Sequence, residues 1–157
     1  MEEKRVENPD RLRIASMTRE NIPVVAELER KNFSIPWSEQ SFLNVLDDEF
    51  SFSYVGILEG RIIAYTIFGA IDDYAELWNI AVDERARRTG IGESMLHFVI
   101  DQCREMGVAS LFLQVRESNH PAINLYEKNG FTFVMVQKDY YHSPREGALV
   151  YRLDIRR

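Results

Sequence analysis

The stretch Trp78 to Glu93, WNIAVDERARRTGIGE, constrains this chain more than any other. Trp78 to Val82 is apolar and rich in β-formers, the composition of a buried strand. A turn carrying Arg85, Arg87 and Arg88 follows, and then Gly90 and Gly92 open a long apolar-periodic segment. The first amides of a helix have no intrahelical partner, and the helix dipole favours negative charge beside them. Glycines leave those amides uncovered by any Cβ. The stretch therefore predicts a strand that delivers a phosphate-bearing ligand to a helix N-terminus. A short glycine motif is a weak signal by itself, and a solvated arginine run with turn glycines explains it as well. The rest of the chain decides between the two.

With 157 residues, 45% of them apolar and 28% charged, the chain has the size and composition of one globular domain. Residues 1–10, MEEKRVENPD, are polar and lack an apolar segment, so they read as a flexible tail and not as a signal or an anchor. Residues 11–157 are expected to form a single domain. A net charge of −6 argues against a general nucleic-acid binder. Cys103 is the sole cysteine, which excludes an intrachain disulfide and a thiolate cluster. His97, His120 and His142 show no metal-ligand spacing, so no metal is expected. No apolar run approaches membrane-spanning length, and a cytoplasmic location without a membrane partner is expected.

Taken in order, Leu12 to Met17 reads as a strand. Thr18 reads as the cap of a helix to about Asn32, with Pro23 in its first turns. Ile35, Pro36 and Trp37 form an apolar loop before Ser38, a good cap for a helix carrying Phe42, Val45 and Leu46. That loop either lines a pocket or staples itself to the core through Trp37. Ser53 to Leu58, Glu59-Gly60 and Arg61 to Ile71 read as a hairpin, with Ala75 to Val82 as the next strand. Ile91, Met95, Val99 and Cys103, flanked by Leu96 and Ile100, give a helix from Gly90 to about Met106 its buried stripe, and Gly107 ends it. Cys103 on that stripe is core packing and not a nucleophile. Ser110 to Arg116 is a strand, Ala122 to Asn129 a helix, and Phe131 to Lys138 and Ala148 to Ile155 are strands joined by a polar loop at 139–147. The class is α/β, in the order β-α-α-β-β-β-α-β-α-β-β.

That order, with an arginine-glycine turn after the fourth strand and a helix-tyrosine segment after the fifth, resembles the GNAT superfamily of N-acetyltransferases. The acetyl-CoA signature [RQ]-x-x-G-x-[GA] is matched by Arg87, Arg88, Thr89, Gly90, Ile91 and Gly92. Asn79 to Val82, Val115 to Asn119, Ala122 to Tyr126, Gly130-Phe131, Tyr140-Tyr141 and Pro36-Trp37-Ser38 resemble, more narrowly, the bacterial ribosomal-protein-alanine N-acetyltransferases. The resemblance spans about Leu12 to Leu153. It implies a mixed, mostly antiparallel central sheet of about seven strands with four helices. It also implies acetyl-CoA as donor, coenzyme A as product, and a protein N-terminus as acceptor, with the N-terminal alanine of a small-subunit ribosomal protein the leading choice. Another protein terminus, a small amine, and a non-catalytic acetyl-CoA-binding domain remain open.

Carried over to this chain, Ile80, Ala81 and Val82 would pair with the pantetheine arm through their backbone. Arg88 to Glu93 would hold the pyrophosphate, with Glu93, where relatives often carry a basic residue, turned to solvent. Asn119 would hydrogen-bond the cofactor, and Tyr126 would stand by the thioester sulfur as general acid. Ile35, Trp37, Tyr140, Tyr141 and Arg145 are the candidate acceptor-lining residues.

One position departs from the family. The glutamate expected as general base two residues before the arginine of the Val-Arg pair is Gln114 here, and an amide accepts no proton at a useful pH. Glu76, at the entry of the central strand, is the first alternative base. Otherwise the substrate supplies its own neutral amine. An α-amine with a pKa near 8 is roughly one-tenth neutral at pH 7, whereas a lysine at about 10.4 is neutral about once in two thousand. The missing carboxylate therefore favours an α-amine acceptor.

Overall fold

The computed structural model describes residues 11–142 and 144–155, so the expected tail at 1–10 lies outside them. The described strands and helices are β1 (Arg13–Ser16), α1 (Ile22–Asn32), α2 (Glu39–Leu46), β2 (Ser51–Leu58), β3 (Arg61–Ile71), β4 (Tyr74–Val82), α3 (Ile91–Glu105), β5 (Ser110–Arg116), α4 (His120–Lys128), β6 (Thr132–His142) and β7 (Arg145–Asp154). The seven strands form one sheet in the order β1-β2-β3-β4-β5-β7-β6. Antiparallel ladders join β1 to β2, β5 to β7 and β6 to β7, while β4 and β5 run parallel from Tyr74↔Ser110 to Leu77↔Leu113. The succession expected from the sequence holds element for element. By contact density the chain divides into two compact units, one reaching to Phe68 and including Asn79–Val99, the other Gly69–Trp78 with Ile100–Arg157.

In the first unit the helices start as their caps dictate, with one refinement. Asn21 Oδ1 accepts the Thr18 amide at 2.8 Å, which bends Arg19–Asn21 into a single tighter turn before α1. Pro23 then occupies the first turn of α1, where a missing N–H costs nothing. Ser38 Oγ accepts the Ser41 amide at 3.1 Å and caps α2, an interaction worth about 1 kcal/mol. Trp37 staples its loop to the core, its ring 5.4 Å from Phe42, which in turn meets the edge of Tyr65 at 5.7 Å. The β2–β3 turn has positive φ at both central residues, Glu59 (51°) and Gly60 (78°), the arrangement whose twist matches that of the strands it joins. Ile91 and Met95 of α3 are fully buried against Leu58, Ile63, Ala64 and Ala86.

In the second unit β5 alternates strictly, burying Leu111, Leu113 and Val115 and leaving Phe112, Gln114 and Arg116 on the other face. Gly107, at φ 78°, ends α3, and the Val108 amide turns back to the Cys103 carbonyl at 2.9 Å. The stretch 139–147, expected as a loop, is mostly strand. Pairing between β6 and β7 breaks register between Gln137 and Tyr141 and resumes as Tyr141↔Glu146 and His142↔Arg145. Asp139, at φ 55°, absorbs the irregularity, so the β-favouring tyrosines after it rejoin the ladder.

Candidate active site

In the first unit the Arg-Gly turn takes shape from short-range bonds. Asp83 accepts the Arg85 amide at 2.9 Å and both Nε and a terminal nitrogen of the Arg85 guanidinium at 3.0 Å. That guanidinium holds the Asp83 carboxyl below its usual range. Arg85 is therefore paired within the turn, and the positive charge read from three arginines rests with Arg87 and Arg88. Arg87 donates to Asn32 Oδ1 at 2.6 Å, tying the turn to the end of α1. Arg88 is exposed and adopts φ 64°, and the Thr89 hydroxyl donates to the Ala86 carbonyl.

Gly90 follows at φ 86°, with open space where a Cβ would stand, and α3 begins at the next residue. Gly92 has no such requirement, since an added Cβ would meet Val82 at an ordinary 3.6 Å. Glu93, expected to face solvent, is half-buried in the first turn of α3, between buried Ile91 and Met95. The donor-strand candidates are fixed from behind. Thr66 Oγ1 donates to the Asn79 carbonyl at 3.0 Å, and the Asp83 amide donates to the Ile63 carbonyl at 2.7 Å. Between those anchors Ala81 is buried, while Ile80 and Val82 are half-buried.

Asn79 also leads to the most deeply buried charge of this unit. Glu29, 1% exposed, accepts the Asn79 amide at 2.9 Å, the Trp37 backbone N–H at 2.9 Å and the Tyr65 hydroxyl. Burial, followed by the neighbouring Glu29 carboxylate, pushes the Tyr65 phenol well above its ordinary range. Ile35, in the same loop as Trp37, is 58% exposed.

In the second unit Tyr126 of α4 is 6% exposed, its ring 5.6 Å from Phe131 in an edge contact. Burial first, and then the Tyr141 phenol, push Tyr126 up to about 12, so it remains a proton-bearing donor well above neutral pH. Gln114 does not stand idle, since its amide donates to Gln137 Oε1 at 2.7 Å across β7. Glu76 is half-buried on β4 and accepts the Tyr74 hydroxyl at 3.4 Å, while the Tyr74 ring lies 5.2 Å from Phe112.

Asn119 is the cap of α4, its Oδ1 accepting the Ala122 amide at 3.3 Å, and the helix starts at His120, ahead of the expected Ala122. Arg116 donates to the Pro144 carbonyl at 3.0 Å and to Glu146 at 3.2 Å, and its guanidinium carbon sits 4.2 Å above the Tyr141 ring. Glu146 also accepts the Ser118 amide. Ser118 and then Arg116 hold the Glu146 carboxyl low. Tyr140, Tyr141 and Arg145 thus share one strand pair, with Arg145 exposed and facing Asp139 at 3.4 Å. Cys103 is fully buried and its thiol is pushed up to about 12 by burial, in keeping with core packing.

The family model described as acetyltransferase (GNAT) family matches residues 22–131. The chain belongs to the GNAT acetyltransferase family. It is 34% identical over 144 residues to the [ribosomal protein bS18]-alanine N-acetyltransferase of Escherichia coli K12, covering 90% of this chain and 97% of that enzyme. The enzyme of the same name from Haemophilus influenzae is 36% identical over 127 residues, 79% of this chain and 86% of that one. The crystal structure of the Escherichia coli ribosomal-protein-S18-alanine N-acetyltransferase superposes with a TM-score of 0.87 at 34% identity, over 93% of this chain and 95% of that one.

The sequence placed Glu29 on the helical stripe of α1 without giving it a task, and did not single out Glu146. Glu29 carried a usable signal, because it is an acid on the stripe of Ile22, Val25, Ala26 and Leu28, and a carboxylate is rarely buried without dedicated donors. Glu146 carried none, since its partners Arg116 and Ser118 are brought to it by the β5–β7 ladder.

Proposed function

We propose that the protein is an acetyl-CoA-dependent Nα-acetyltransferase acting in the cytoplasm on the N-terminal alanine of a small-subunit ribosomal protein. The observation that carries this reading is the 34% identity spread over 97% of an enzyme named for alanine acetylation on bS18. In the first unit, the Ile80–Val82 backbone pairs with the pantetheine arm, and Arg88 to Glu93 present the α3 N-terminus to the pyrophosphate. Asn119 offers its side-chain amide group to the donor while its oxygen caps α4. The candidate acceptor residues are Ile35 and Trp37 in the first unit and Tyr140, Tyr141 and Arg145 in the second.

The neutral amine attacks the thioester carbonyl, the C–N bond forms, the C–S bond breaks, and coenzyme A leaves as its thiolate. Backbone N–H groups polarise the carbonyl as charge develops on it. Tyr126, at about 12, lies far enough above a thiol at about 8.5 that full transfer of its proton is uphill by about 5 kcal/mol. Its role is a hydrogen bond to the developing thiolate, which afterwards takes its proton from solvent. Gln114 cannot be the base. The amine's own proton goes to solvent before attack, or to Glu76 through a water. A second reading, a domain that binds acetyl-CoA without turning it over, is favoured by Gln114 alone.

The test is acetyl transfer to peptides beginning with Ala, Ser or Met and to a terminally blocked lysine peptide, with the modified nitrogen located by mass spectrometry. Turnover on the Ala peptide and none on the blocked one is expected. Comparable modification of the lysine peptide would sink the α-amine reading. Bound acetyl-CoA with no turnover on any peptide would favour the non-catalytic one.

A further inference from the structure

Glu29 is a buried carboxylate to which no step above assigns a task. Its three donors come from separate parts of the first unit. The Trp37 backbone N–H belongs to the loop before α2, the Asn79 side chain lies on β4 immediately before Ile80–Val82, and the Tyr65 hydroxyl lies on β3. None of these bonds is local, the nearest spanning eight residues and the others 36 and 50. A group buried this deeply is costly unless its bonds are made, so one arrangement of all three donors is strongly preferred. Asn79 has a second anchor, because Thr66 holds its carbonyl independently. For Trp37 the Glu29 bond comes from outside its own loop, and the ring contact with Phe42 follows from it in sequence by only five residues.

We infer that Glu29 is a positioning residue, one carboxylate that fixes the acceptor loop at Trp37 against β4 at Asn79, next to the Ile80–Val82 stretch. The inference rests on the roles proposed above for Ile80–Val82 and for Ile35 and Trp37. Because the strand keeps its Thr66 anchor, release of Glu29 acts on acceptor use more than on donor binding. The coupling is also specific in its chemistry, since a carboxylate on α1 faces an amide on β4.

An exchange of partners tests this. Glu29→Gln turns an amide toward the Asn79 amide, Asn79→Asp turns a carboxylate toward Glu29, and the double variant Glu29→Gln/Asn79→Asp restores one amide facing one carboxylate. The readouts are hydrogen exchange of the Trp37 amide by NMR, and the KM for the Ala peptide against the Kd for acetyl-CoA. Each single variant is expected to speed Trp37 exchange and raise the peptide KM by about tenfold, with donor Kd changed less than about threefold. The amide of Phe42, held within α2, serves as the internal control. The double variant should recover most of both losses.

Losses in the double variant equal to the product of the singles, or a Trp37 amide indifferent to Glu29→Gln, would overturn the inference. Equal loss of donor and acceptor binding would also overturn it, as that is what a loosened fold produces. If the wild-type protein shows no peptide turnover, the functional reading fails by itself, and Trp37 exchange in the three variants still decides this one.

Discussion

The first unit buries one carboxylate, Glu29, at 1% exposure, held by donors from a loop, a strand and a neighbouring strand. The second unit uses a rim network, in which Arg116 and Glu146 side chains, 23% and 14% exposed, pair with each other and with the backbone of Ser118 and Pro144. Burial in the second unit is spent on Tyr126. Under the proposed function the difference follows what each unit would be asked to do. A ligand held by backbone amides needs a strand and a turn of fixed shape, which buried bonds and a left-handed glycine provide. A hydrogen-bond donor to a developing thiolate needs a shielded hydroxyl, which burial keeps protonated.

The largest effect is expected at Tyr126. Tyr126→Phe keeps the ring against Phe131 and removes the hydroxyl, so kcat should fall by about a hundredfold or more while acetyl-CoA Kd, read by calorimetry, stays nearly constant. An unchanged kcat would remove Tyr126 from the chemistry. Gly90→Asp is the mirror experiment in the first unit. A side chain forced into φ 86° costs about 1–2 kcal/mol, and its charge opposes a pyrophosphate, so acetyl-CoA Kd should rise by about thirtyfold. Under saturating donor its kcat should be little altered, and a kcat collapse at saturation would contradict the division of labour.

Smaller effects sharpen the contrast between rim and surface. Arg116→Met leaves Glu146 and the Pro144 carbonyl without their guanidinium and should lower Tm by roughly 3–5 °C in a thermal melt. Arg19→Met removes a pair with Asp47 in which both side chains are 66% exposed, and Tm should move by less than about 1 °C.

Much of this was legible in the sequence. Helical stripes such as Ile91, Met95, Val99 and Cys103 announce themselves because burial imposes their period, and Glu59-Gly60 announces its turn because few residues accept positive φ in succession. The arginine-glycine turn was legible as a pattern, but its electrostatics were not, since Asp83 claims Arg85. What stayed hidden depends on long-range pairing. The β6–β7 extension through 139–147 exists because two distant segments complete each other's hydrogen bonds past Asp139, and no local pattern records that. The same holds for Gln114, whose departure from the family glutamate was plain in the sequence while its bond to Gln137 was not.

A shielded tyrosine serving an amine that deprotonates by itself is tested most directly by the rate of acetyl transfer to the Ala peptide from pH 6 to 10. Tyr126 donates below its pKa and stops donating as pH rises through about 12. The profile should therefore climb with a pKa near 8, that of an α-amine, and then stay level to pH 10. A falling limb below pH 10 would mean that the donor titrates like an ordinary tyrosine or is another group, and the claim would fail.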